Sequence, residues 1–144
     1  ALDERYVGYS NKSYKVVKGK KYKLRVNDNF EINNCILNTT SPYVFANHSD
    51  QKAFEKVSKQ VKSTRLGGDC YSYCLLADGL VDIVIESGLK PWDIRALEPI
   101  IVNAGGTLKT WNKEEIISGG RIIACNNKKL YNRVIRVINK KPSY

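Results

Sequence analysis

Residues 67–106 read GGDCYSYCLLADGLVDIVIESGLKPWDIRALEPIIVNAGG, and the order of elements in this stretch decides the fold class. After the glycine pair, Cys70, Tyr73, Cys74 and Ala77 recur at three- and four-residue intervals, the period of a helix face. Asp69 stands at the N-cap position and Asp78-Gly79 at the stop. Leu80 to Glu86 is a nearly unbroken β-branched run, interrupted by Asp82 and closed by Glu86, the pattern of a largely buried strand of an α/β sheet. Pro91 breaks the chain. Ile94, Leu97, Ile101 and Ala104 then mark the buried face of a second helix, ended by Gly105-Gly106. Three acids, Asp69, Glu86 and Asp93, fall at the ends of these elements. Ligands of open α/β sheets bind outside the carboxyl ends of strands, so the trio predicts a shared cleft. The plainer role for Asp69 and Asp93 is helix capping, and for Glu86 a surface contact.

Working outward, TLKTWN (107–112) and RIIACN (121–126) read as two more strands. Leu130, Val134 and Ile138 share one face of a closing helix from about Lys128 to Asn139. Upstream, Ala53, Phe54, Val57 and Val61 predict an amphipathic helix over 50–62, capped by Ser49 or Asp50. The segment CILNTT (35–40) predicts a buried strand, followed by a loop at Ser41-Pro42. Residues 5–26 alternate tyrosine and valine with lysine and predict a meander of short antiparallel strands. The character of the chain changes after Asn27–Asn29, which places a domain boundary near residues 28–34. Residues 1–34 are then remnant antiparallel strands of an upstream domain, and residues 35–144 an α/β domain with a mixed sheet between helices.

Composition bounds what such a fold can do. A chain of 144 residues suits one domain of ordinary size, and 42% hydrophobic residues argue against a disordered chain. No apolar run approaches the roughly 20 residues needed to span a bilayer, and ALDERYVGYS lacks the layout of a secretory leader; the expectation is a soluble, cytoplasmic protein without a membrane partner. The absence of methionine and the sheet-like opening predict a fragment of a longer protein. Lys and Arg number 24 against 14 Asp and Glu, a net charge of +10 that attracts anions. The basic residues, concentrated at Lys15–Arg25 and Lys128–Lys141, alternate with core-type residues, which favours a solvated surface over a nucleic-acid partner. Cys70 and Cys74 lie four apart with no further ligand nearby, and His48 is the only histidine, so a zinc site is not expected. Cys35, Cys70, Cys74 and Cys125 read as reduced, buried thiols.

The run from Pro91 to Leu97, PWDIRAL, followed by Ala104-Gly105-Gly106, resembles the carboxyl-terminal signature of the inositol monophosphatase family, W-D-x-x-A and then A-G-G. Gly67–Tyr71 and Glu86–Pro91 are similar to the histidinol-phosphate phosphatase branch of that family, which uses G-G-D-C-Y and E-x-G-L-K-P. A fainter likeness at Thr39–Pro42 and at Tyr6–Gly8 carries the resemblance over nearly the whole chain. It implies the carboxyl-terminal half of an α-β-α-β-α layered sandwich that commonly dimerises. The implied chemistry is hydrolysis of a phosphate monoester with magnesium, one ion activating water and another stabilising the leaving oxygen. Asp93 inherits the place of a ligand to the second ion, which suits a hard cation that prefers carboxylate oxygen. Gly67 and Gly68 would let the backbone approach the substrate. Asp69 would face the non-phosphate end, where an aspartate can pair with the protonated amine of histidinol phosphate. Glu86 matches a residue that bonds substrate hydroxyl or amino groups, and Lys90 is the candidate phosphate contact.

The family's upstream metal motifs, a glutamate pair and D-P-x-D-G-T, are absent from this sequence. The chain is therefore expected to be inactive alone and to need the missing amino-terminal half, with residues 1–34 exposing a strand edge and an apolar face that require a partner. The leading reading is a magnesium-dependent histidinol-phosphate phosphatase, with an inositol or nucleotide phosphatase as its nearest competitor. From another class come a basic RNA- or polyanion-binding module and a non-catalytic relic of the fold.

Overall fold

The computed structural model describes residues 3–140, so Lys141, which closes the second basic run, lies outside the described residues. The Tyr/Val/Lys alternation forms the expected antiparallel meander: β1 (Glu4–Tyr9), β2 (Lys12–Val17) and β3 (Lys20–Lys23). Both hairpins close on residues with positive φ, Ser10-Asn11 and Lys18-Gly19. Such turns carry the twist that two-residue hairpins need.

The second sheet has five strands in the order β5-β4-β6-β8-β7. Here β4 is Ile36–Thr39, β5 Ser63–Leu66, β6 Ile83–Leu89, β7 Thr107–Thr110 and β8 Gly120–Cys125. β4 runs parallel to both β5 and β6, whereas β8 is antiparallel to β6 and β7. Alternate residues of the strands serve opposite faces. Leu37, Ile83, Ile85 and Ile123 meet α1 (His48–Ser58) and α5 (Lys128–Asn139). Val84, Leu108, Ile122 and Ala124 meet α2 (Asp69–Ala77), α3 (Pro91–Ile94) and α4 (Glu98–Asn103). The meander packs on the far side of α4, giving helix, sheet, helix and sheet layers. Ser13 donates to the Ile100 carbonyl at 2.7 Å there. A Cβ on Gly8 would lie 2.5 Å from Ile100 N, so only glycine permits this approach.

Several local expectations are corrected. The helix expected over 50–62 spans His48–Ser58, because Asn47 rather than Ser49 or Asp50 caps it, accepting from Asp50 N at 3.0 Å. The chain then turns, and Ser63–Leu66 adds β5 at the sheet edge, where exposure on most of its length removes any apolar signature. Asp69 is not the N-cap of α2. Gly68 holds that place, no side chain caps it, and Asp69 begins the helix with φ +45°. The single helix expected after Pro91 is two, since Pro99 has no N–H for a continuing helix but suits the first turn of a new one. Ile94, Leu97, Ile101 and Ala104 are nonetheless all buried. Of the four free cysteines Cys70 is exposed, so the expectation of four buried thiols fails at that position.

Candidate active site

From β4 the chain reaches β5 through α1 on one face of the sheet, and from β5 it returns past β4 to β6 through α2 on the other. The gap between β4 and β6 is thus a point where connections diverge, the position at which open α/β sheets take up ligands. Pairing across the gap covers only Leu37 with Ile83 and Asn38 with Val84. Beyond it a pocket of about 230 Å³ opens, lined by Thr40, Val44, Asp69, Cys70, Tyr73, Glu86, Ser87, Gly88, Leu89 and Asp93. All three acids singled out in the sequence meet there.

Their surroundings differ. Glu86 does not close its strand as expected. β6 continues through a register shift to Leu89, because β8 keeps pairing along its other edge. Glu86 is 3% exposed and bridges the parted strands. Oε1 accepts from Thr40 N at 2.6 Å and Thr40 Oγ1 at 2.8 Å, and Oε2 from Thr39 Oγ1 at 3.2 Å. Burial raises its pKa, aided by Asp69 and opposed by the threonine hydrogen bonds. Asp93 sits in the first turn of α3, where Oδ2 accepts from Lys90 N at 2.7 Å. The capping role is therefore real, and it leaves the other carboxylate oxygen without a hydrogen bond among the described residues. Asp69 is exposed.

Gly67 and Gly68, read in the sequence as substrate contacts, are not among the residues that line the pocket. The Gly67 N–H donates to the carbonyls of Thr39 and Thr40, tying the end of β5 to the end of β4. A Cβ on Gly68 would fall 1.8 Å from Ser72 Oγ, so a side chain there would force that hydroxyl away from its bond with Asn38. Lys90 is exposed, and its contribution here is the backbone bond to Asp93.

Sequence reasoning missed Thr40, Ser87 and the buried charge behind them. Asp50, 2% exposed, pairs with Arg121 Nε at 3.0 Å and accepts from the Ser87 hydroxyl. Arg121 lies 5.7 Å from the Trp111 ring centre. Thr40 was recoverable from its place just after a central parallel strand. The Asp50–Arg121 pair, 71 residues apart, left no local signal.

The pocket offers oxygen donors, the chemistry a hard cation takes. Among the described residues no three Asp, Glu, His or Cys side chains converge closely enough to hold a metal ion. The described residues therefore do not supply a full ligand set by themselves. A larger cavity of about 600 Å³ beside β7 mixes Glu98 and Glu115 with Lys109, Lys113 and Lys128. Lys109 is already paired with Glu115, and no acid cluster forms there. Among the described residues no helix is long and apolar enough to cross a membrane.

Comparison with known proteins agrees with this architecture. The family model described as inositol monophosphatase family matches residues 1–143. Bifunctional phosphatase IMPL2, chloroplastic, from Arabidopsis thaliana is 40% identical over 116 residues, which cover 81% of this chain and 32% of the relative. Histidinol-phosphatase from Mycobacterium tuberculosis is 30% identical over 118 residues, or 82% of this chain and 45% of that protein. An inositol monophosphatase from Zymomonas mobilis superposes with a TM-score of 0.79 at 30% identity, over 90% of this chain and 53% of its own. The chain thus spans half or less of the curated relatives it matches.

Proposed function

We propose, for a chain that belongs to the inositol monophosphatase family, that it carries the substrate-binding part of a magnesium-dependent phosphate monoester hydrolase acting on histidinol phosphate. The observation that carries this reading is the meeting of Asp69, Glu86 and Asp93 in one pocket at the β4/β6 gap. When bound, magnesium supplies an activated water and charge stabilisation of the leaving oxygen. Asp93 offers that ion the oxygen left free by its bond to Lys90 N.

The three acids divide the remaining work. Glu86, with Oε1 doubly bonded and Oε2 singly bonded, fixes the width of the cleft and keeps one acceptor position for a substrate hydroxyl or amino group. Asp69, exposed at the start of α2, pairs with a protonated amine. Gly67 and Gly68 keep the rim low enough for the substrate to pass, and Lys90 attracts its phosphate from outside. Two relatives support the phosphatase class, and one bears the name histidinol-phosphatase.

The other metal ligands come from an amino-terminal half carrying the glutamate pair and the D-P-x-D-G-T motif. In this reading residues 1–34 complete the sheet of that half, and residues 35–144 form the domain holding the substrate and metal residues. Val7 and Tyr9, exposed on the outward face of β1, supply apolar surface for it to cover. The complete enzyme is a homodimer working in the cytoplasm, and free thiols at all four cysteines suit a reducing compartment.

The test is phosphate release by the full-length protein with magnesium, from histidinol phosphate and from inositol 1-phosphate. Preference for histidinol phosphate is expected. Preference for the inositol ester would overturn the role of Asp69, and release from neither would overturn the enzyme reading.

A further inference from the structure

Tyr73 lies on α2 one turn beyond Asp69, on the same side of the helix, and lines the acidic pocket. Its side chain is 2% exposed, yet among the described residues its hydroxyl oxygen has no hydrogen-bond partner. Buried hydroxyls are nearly always paired, because leaving one unpaired forfeits its solvation. The neighbouring groups do not relieve it. Glu86 and Asp93 keep acceptor capacity beyond their bonds to Thr39, Thr40 and Lys90 N, but neither accepts from the Tyr73 hydroxyl. Burial, reinforced by Glu86, Asp69 and Asp93, drives the phenol pKa well above its ordinary value, so the proton stays on the oxygen at any physiological pH. The pocket wall therefore holds a neutral donor near three carboxylates, none of which accepts from it.

We propose that the Tyr73 hydroxyl is a specificity-determining donor, satisfied only when a phosphate monoester fills the pocket and presents an acceptor atom from its non-phosphate end. The inference rests on the phosphatase reading above and adds a group to it. In histidinol phosphate the only acceptor at that end is the unprotonated imidazole nitrogen, because a neutral imidazole has one donor and one acceptor nitrogen. An amine-binding carboxylate at Asp69 and a donor at Tyr73 together read both features of such a substrate. In an inositol phosphate the same donor would meet a ring hydroxyl.

The conservative variant Tyr73→Phe separates this from a packing role. It removes only the oxygen, so a tyrosine serving the core alone predicts a thermal midpoint equal to or above that of the parent protein and unchanged kinetics. The proposal predicts the same or higher midpoint together with a roughly tenfold rise in KM and little change in kcat, the loss of about one hydrogen bond in binding. The measurements are thermal unfolding without ligand and steady-state hydrolysis by the full-length protein with magnesium, using histidinol phosphate and inositol 1-phosphate in parallel. Unchanged KM for whichever ester is turned over, or a midpoint several degrees lower in Tyr73→Phe, overturns the proposal. A parent protein that prefers inositol 1-phosphate overturns the amine assignment of Asp69 alone, since the Tyr73 effect is then read on that ester. A parent protein that neither binds nor hydrolyses either ester sinks the function and this inference together.

Discussion

The Asp50–Arg121 pair gives a quantitative test of how the pocket wall is held. Asp50 is almost fully enclosed, Arg121 has about half its side chain in solvent (47% exposed), and their closest N–O distance is 3.0 Å. Unit charges about 4 Å apart gain about 4 kcal/mol at an effective dielectric of about 20. Desolvation of the carboxylate takes back much of this, and solvent screens the arginine, so a net coupling of about 1–2 kcal/mol remains. Asp50→Ala also strips the buried Ser87 hydroxyl of its acceptor, which adds about 1–2 kcal/mol; the single variant should lose about 3 kcal/mol. The assay is urea unfolding of Asp50→Ala, Arg121→Ala and the double variant, analysed as a double-mutant cycle. The double variant should be more stable than the sum of the singles by that coupling. A coupling below about 0.5 kcal/mol, the limit within which independent sites add, would refute the argument that the charge pair helps hold the pocket wall.

Three more outcomes follow from the geometry. Gly8→Ala drives a methyl into the Pro99–Ile100 backbone and should cost about 1–3 kcal/mol; a thermal midpoint equal to the parent's would show that the meander does not press on α4. Because burial raises the Glu86 pKa in the folded state above 4.5, the native protein holds that proton more tightly than the unfolded chain. The stability it contributes is present below pH 4.5 and is lost as pH rises through the raised value, so stability relative to Glu86→Gln should decline over that window; a difference that stays flat or grows with pH contradicts it. Iodoacetamide should label one thiol of the native protein, the exposed Cys70. Cys35 and Cys74 are buried with pKa values of about 12, and Cys125 is fully enclosed. Mass spectrometry showing a second rapid adduct would count against this core.

The parts legible in the sequence were those encoded locally. The closing helix spans Lys128–Asn139 as its 3.6-residue period dictates, and the meander followed from alternation punctuated by turn residues. The meeting of Asp69, Glu86 and Asp93 was legible because an α/β order brings the ends of elements to one side of the sheet, and Glu86, though in the middle of β6, lies just past the end of its pairing with β4. β5 was not, because an edge strand with most residues in water shows no apolar pattern. Nor was the continuation of β6 past Glu86, which depends on the pairing of Leu89 with the distant Gly120 of β8. Tyr73 looked like one more core residue in a helical repeat. Only the absence of a partner for its hydroxyl, a property of the packed molecule, distinguishes it.

α4 is only six residues long, yet it is clasped from both sides: Ile101 is sealed into the core of the five-stranded sheet, while Gly8 and Ser13 of the meander grip its Pro99–Ile100 backbone. A helix so confined cannot swivel independently, and the short helix bearing Asp93 precedes it by three residues. Disturbance of the meander, though remote from the pocket in sequence, should therefore be transmitted to the position of that carboxylate, so that anything docking on the outer strands acquires mechanical leverage over the site.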